Sequence, residues 1–124
     1  GGTILVTIAD KHKEETLPLI KRFYDCGFKF LATKGTAQLL RENNLPVSEV
    51  TKIGRGERDL LEDIKEGNVQ LIINTITKGK NVGSDGFKMR RAAVENGVIC
   101  TTSIDTTKAI LESIEVNSLG TIPL

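Results

Sequence analysis

The sequence has no tryptophan, one tyrosine, one methionine, one histidine and two cysteines. Each scarcity closes off a chemistry. With aromatics at 4%, there is little on which to stack nucleobases. The 17 Lys and Arg are nearly balanced by 16 Asp and Glu, whereas a nucleic-acid binder carries a clear basic excess. A single histidine, His12, rules against a multi-histidine metal centre and against a Ser-His-Asp triad. Flanked by Lys11 and Lys13, it reads as a surface histidine, with a general base as the minor alternative. Cys26 and Cys100 lie far apart without ligand spacing, so both are expected to be small buried hydrophobes in a reducing, cytoplasmic compartment. No apolar run approaches the roughly 20 residues of a membrane span. No signal peptide is read at the start, and Gly1-Gly2, with no initiating Met, is taken as a processed or excised beginning.

What is present is the composition of an ordinary globular domain: 39% hydrophobic and 27% charged residues in a chain of 124. One domain is expected over residues 1–124, with 1–2 as a linker remnant and 115–124 as a tail. Hydrophobic periodicity switches repeatedly between two and 3.6 residues. Strands are predicted at Ile4–Ile8, Phe28–Ala32, Val47–Ile53, Val69–Ile73 and Val98–Cys100, with Val69–Ile73 the central one. Between them come helical patterns. The first runs through Leu17, Ile20, Phe23 and Tyr24 to a stop at Gly27, and it accommodates Pro18 only in its first turn. Ala37–Arg41 begin a second that stops at Asn43-Asn44. Arg58–Lys65 and Phe87–Glu95 are closed by Gly67 and Gly97, and Ser103 or Asp105 caps the last. Alternation of this kind predicts a doubly wound α/β domain, a mainly parallel sheet with helices on both faces.

In such a sheet, ligands bind beyond the carboxyl ends of the strands. Those ends carry Asp10-Lys11-His12-Lys13, Thr33-Lys34-Gly35-Thr36, Lys52, Asn74-Thr75 with Thr77-Lys78-Gly79-Lys80, and Thr101-Thr102-Ser103. Hydroxyls, lysines and glycines collect there, while carboxylates are few, Asp10 and Asp85 being the main ones. That inventory suits a phosphate: hydroxyls and backbone N–H groups donate, glycine permits close approach, a helix start contributes its dipole, and lysines add charge. The plainer account makes Thr36 a helix cap, Gly35 a turn residue and the lysines a solvated rim. Other phosphate loops fail, because no P-loop pattern occurs and Gly54-Arg55-Gly56 lacks the third glycine of a dinucleotide fingerprint.

The stretches "GFKFLATKGTAQLL" (27–40), "IINTITKGK" (72–80), "DGFKMRRAAVENGV" (85–98) and "TTSIDT" (101–106) occur in this order and spacing. With them the chain resembles the methylglyoxal-synthase-like family. Within it, the chain is similar to the C-terminal allosteric domain of the carbamoyl-phosphate synthase large subunit of bacterial type. The resemblance implies a cytoplasmic sensor of UMP, IMP or phosphoribosyl pyrophosphate that regulates carbamoyl phosphate synthesis for pyrimidines and arginine. It implies no cofactor, metal or catalytic residue in this segment. Its partners would be the ATP-dependent synthetase domains of the same parent chain and a glutaminase small subunit. Matched residue by residue, the phosphate falls to Lys13, Thr33, Thr36 and Lys52, with Lys34 and Gly35 in the turn. Asn74, Thr75 and Thr77 meet the ribose or phosphate side, and Asp85 lies nearby. Ile76 departs from the pattern, standing where many relatives carry a hydroxyl, and the loop after it is a residue longer.

Two other functions fit the same fold. A sugar-phosphate lyase of the methylglyoxal synthase type would share the phosphate cradle. It requires a histidine where Ala9 stands, an aspartate where Glu57 stands, and a further histidine with no counterpart near Gly83-Ser84-Asp85. A structural oligomerisation module would need none of the rim residues, and oligomeric state is left open.

Overall fold

The computed structural model describes residues 2–50, 60–75 and 85–118, the last set without the side chains of 85, 86 and 118. Of the predicted features, Lys52, Thr77, the Asp85 side chain, Ile76, the Gly54-Arg55-Gly56 segment and Glu57 lie outside the described residues.

Five strands, β1 (Thr3–Thr7), β2 (Lys29–Ala32), β3 (Ser48–Glu49), β4 (Leu71–Asn74) and β5 (Ile99–Thr101), form one sheet in the order β3-β2-β1-β4-β5, every pair parallel. Among the described residues, each strand is followed by a helix: α1 (Lys13–Asp25), α2 (Lys34–Glu42), α3 (Leu60–Lys65), α4 (Asp85–Glu95) and α5 (Ile104–Ser118). The two-residue strand period sorts side chains onto two faces. Ile4, Val6, Phe30, Leu71 and Ile73 pack with Leu19, Ile20 and Phe23 of α1, Leu40 of α2 and Leu111 of α5. Leu5 and Ile72, one residue out of phase, pack with Leu60 and Ile64 of α3 and Met89, Ala92 and Ala93 of α4. This is the doubly wound α/β domain that the periodicity predicts.

The first four helices end the same way. At the end of α1, the Gly27 N–H donates to the Tyr24 carbonyl (2.9 Å) and the Phe28 N–H to the Phe23 carbonyl (3.2 Å). This paired Schellman bonding satisfies carbonyls that have no later helical donor. It requires a left-handed residue, supplied by Gly27 (φ 93°), where a side chain would cost energy. Phe28 then packs edge-on against Phe23, with ring centres 5.6 Å apart. At the end of α2 the left-handed residue is Asn44 (φ 63°), and the Leu45 N–H donates to the Leu40 carbonyl at 2.9 Å. Gly67 and Gly97 occupy the same position after α3 and α4.

Four expectations need correction. Pro18 sits in the second turn of α1 rather than the first, because a 3-10 turn at Asp10–His12 brings the helix start forward to Lys13. Pro18 faces solvent, where the lost N–H is least costly. β4 is an interior strand, but β1 is the middle one: each has two neighbours and three buried apolar residues, so apolar burial does not separate them. α5 continues through 115 to Ser118, where a tail was predicted. The Arg22 guanidinium of α1 clamps the Glu115 carboxylate with two bonds of 2.9 and 2.5 Å, a tie between residues 93 positions apart. Cys26 and Cys100 are only half-buried. Burial of the Cys100 thiol raises its pKa, and the nearby Arg90 charge only partly offsets this.

Candidate functional site

Because every strand points the same way, all carboxyl ends and all following helix starts share one edge of the sheet. The chain leaves β2 at Thr33, whose extended backbone (φ −74°, ψ 168°) makes it the residue before α2. The first helical bond runs from the Ala37 N–H to the Thr33 carbonyl, 2.8 Å. The helix therefore begins at Lys34, three residues before the predicted Ala37, and Thr36 is not its cap. Nor does the Thr33 side chain cap it. The N–H groups of Lys34, Gly35 and Thr36 have no acceptor among the described residues. The first turn holds no acidic residue, so the positive end of the helix dipole has no carboxylate of its own turn, only the Lys34 charge within it. Gly35 is exposed, and a Cβ added there would have nothing within 4 Å. Open donors, a bare dipole end and unfilled space thus coincide at one turn.

Thr36 is placed differently from Thr33. It is buried (8% exposed), and its Oγ1 accepts the Ile8 N–H at 3.2 Å. Thr75 mirrors it from the other side of β1, its Oγ1 accepting the Ala9 N–H at 2.7 Å. Thr75 also returns two bonds to the Thr7 carbonyl, from its N–H at 3.0 Å and its hydroxyl at 3.4 Å. The segment joining β1 to α1 is thus held between two threonines. That segment carries exposed Asp10 and delivers exposed Lys13 as the first residue of α1. Thr36 has given a lone pair to the loop but keeps its O–H proton for another acceptor, whereas Thr75 has spent its proton on the Thr7 carbonyl.

Asn74 ends β4 directly opposite Thr7 in register. It is 5% exposed; its Oδ1 accepts the Thr7 hydroxyl, and its buried Nδ2 has no partner among the described residues. A buried donor left unpaired costs about 1–3 kcal/mol, so this amide is suited to a ligand oxygen. His12 is half-buried rather than a surface residue, and its Nδ1 is likewise buried without a partner among the described residues. The end of β5 contributes less than its hydroxyls suggest. Ser103 is the cap of α5, its Oγ accepting the Thr106 N–H at 3.2 Å, while Thr107 donates to the Ser103 carbonyl at 2.7 Å. Thr101 also bonds within this knot.

The structure therefore brings Thr33, Lys34, Gly35 and Thr36 together with Asn74 and Thr75 along the rim on either side of β1, and puts Lys13 on the same edge. At the β5 end of the expected cluster, Thr101 donates within its own knot and the Ser103 oxygen serves as the α5 cap. Thr7 went unread, since nothing local distinguishes it from any strand threonine. A groove of about 390 Å³ beside α2, lined by Lys34, Gln38, Arg41, Glu42 and Glu49, shares only Lys34 with this cluster. Its charges answer one another, with Arg41 3.6 Å from Glu49, so it offers no comparable unmet need. Among the described residues no three His, Cys, Asp or Glu side chains are grouped to hold a metal.

A family model of the MGS-like domain matches residues 15–102. The chain belongs to the MGS-like domain family. The match takes in Thr33–Thr36, Asn74 and Thr75 of the rim, leaving Thr7 and Lys13 just ahead of it. Among solved structures, one described as "Crystal structure of ForH" superimposes with a TM-score of 0.63 at 21% identity, covering 94% of this chain and 79% of that one. A likeness at that identity speaks for the MGS-like fold alone. No described helix of this MGS-like domain is long and apolar enough to cross a membrane.

Proposed function

We propose that this MGS-like domain senses a phosphorylated small molecule, a nucleoside monophosphate or phosphoribosyl compound such as UMP, IMP or phosphoribosyl pyrophosphate. In this reading it is the C-terminal allosteric domain of a carbamoyl-phosphate synthase large subunit and does no chemistry itself. The observation that carries the proposal is the uncapped start of α2. Three N–H donors, a dipole end without a carboxylate and an open Gly35 await an anion of the size of phosphate. The Thr36 proton and the Asn74 amide add donors, and Lys13 and Lys34 add charge. In the parent enzyme, the effector would favour one arrangement of the synthetase domains and glutaminase subunit by a coupling of roughly 1–3 kcal/mol.

Calorimetry of this chain against UMP, IMP and phosphoribosyl pyrophosphate is the test, with Thr33→Val and Lys34→Ala as comparisons. At least one ligand should bind, and both variants should weaken it. A folded domain that binds none of the three refutes the reading. Release of inorganic phosphate from dihydroxyacetone phosphate would replace it with a lyase.

A further inference from the structure

We propose that Thr7, a residue without a direct place in the phosphate cradle, is the positioning residue that turns the Asn74 amide toward the effector. The inference rests on the effector reading and adds to it a determinant on β1. Thr7 and Asn74 are register partners on adjacent parallel strands. Each lies two residues beyond a side chain, Leu5 or Ile72, that packs against α3 and α4, so strand alternation brings both to the same face. The Thr7 hydroxyl donates to Asn74 Oδ1. An amide group is planar, and holding its oxygen therefore fixes where its nitrogen points. Asn74 is 5% exposed and Nδ2 finds no acceptor among the described residues. If the amide were reversed, the unpartnered atom would become Oδ1, so one polar end of Asn74 is left over in either setting. A pair serving only the sheet would close on itself, as Thr101, Ser103 and Thr107 do at the end of β5. This pair leaves a donor at the rim, as a ligand oxygen requires.

The experiment compares wild type, Thr7→Val and Thr7→Ser by UMP, IMP and phosphoribosyl pyrophosphate calorimetry, and by the side-chain NH2 signals of Asn74 in 15N-labelled protein. Valine keeps the shape and removes the donor, so the affinity of whichever ligand binds should fall about tenfold, or about 1.4 kcal/mol. Serine restores the donor and should bind within about twofold of wild type. The Asn74 NH2 signals should move on ligand addition in wild type and Thr7→Ser but not in Thr7→Val. Thr7→Ala stands in for valine should that variant not fold. Unchanged affinity in a folded Thr7→Val, or failure of serine to rescue, overturns the role of Thr7 while leaving the effector reading intact. Wild type that binds none of the ligands overturns both.

Discussion

Replacing Gly35 with alanine should move stability and binding in opposite directions. Gly35 is the second residue of α2, and it is not among the glycines with positive φ. Alanine therefore fits its backbone, and the added Cβ meets no atom of the protein within 4 Å. Helix propensity favours alanine by roughly 0.5–1 kcal/mol in a helix interior, and the first turn should realise about the lower figure. For a domain of this size that corresponds to a rise in Tm of about 1–3 °C. The same Cβ projects into the space where a phosphate would approach the N–H groups of Lys34, Gly35 and Thr36. Weakening one charge-assisted bond there costs about 1.5–3 kcal/mol, or roughly tenfold to a hundredfold in Kd. Thermal denaturation without ligand and calorimetry with the best of UMP, IMP and phosphoribosyl pyrophosphate read the two effects separately. Wild-type affinity in Gly35→Ala would remove the α2 turn from the site. A lowered Tm would show that the space around Gly35 is not open.

Thr36→Val should leave the Ile8 N–H without its acceptor, lowering stability in urea by about 1–2 kcal/mol. Faster hydrogen exchange at Ile8 than at Ile4 would accompany it, and an unchanged midpoint would contradict the clamp. The Arg22 pair holds Glu115 below the ordinary carboxylate range, chiefly through its hydrogen bonds. A carboxyl whose pKa is lower in the folded state stabilises above its unfolded pKa, and that contribution is lost as pH falls through the folded value. Glu115→Gln should therefore reduce Tm near neutral pH, and the difference should shrink as pH falls through and below the carboxylate range; an equal reduction throughout would refute the pairing. Burial raises the Cys100 pKa, so its alkylation at pH 8 should be slower than that of an unfolded control, as read by mass spectrometry. Equal rates would contradict the assignment.

The elements were legible wherever one local rule decided them. Val69 to Ile73 are apolar enough for a buried strand, and Gly27, Asn44, Gly67 and Gly97 announced the helix ends because a left-handed residue is needed there. Starts were harder. Thr33, Thr36 and Ser103 are all hydroxyl residues at helix beginnings, but only Ser103 caps with its side chain, while Thr36 spends its oxygen on Ile8. That choice depends on what lies across the sheet and leaves no mark in the neighbouring sequence. The extent of α5 was hidden for the same reason, since Glu115 answers to an arginine on α1. Of the site, the Thr33–Thr36 turn and Asn74-Thr75 could be found from strand ends and residue chemistry. Which hydroxyls remain available, and the dependence of Asn74 on Thr7, are tertiary facts.

The helix endings assign turning the chain to one rim of the sheet, which leaves the other free for the ligand role proposed above. At the first rim a glycine or asparagine and a following apolar residue suffice, whatever the domain binds. A lineage could therefore exchange one ligand for another by rewriting exposed carboxyl-end residues such as Lys34 and Gly35, provided Thr36 and Thr75 stayed to hold the segment after β1. The same separation makes the domain a natural chassis for engineered sensors, in which the exposed positions of that rim can be randomised as a library while Thr36, Thr75 and Ser103 are kept.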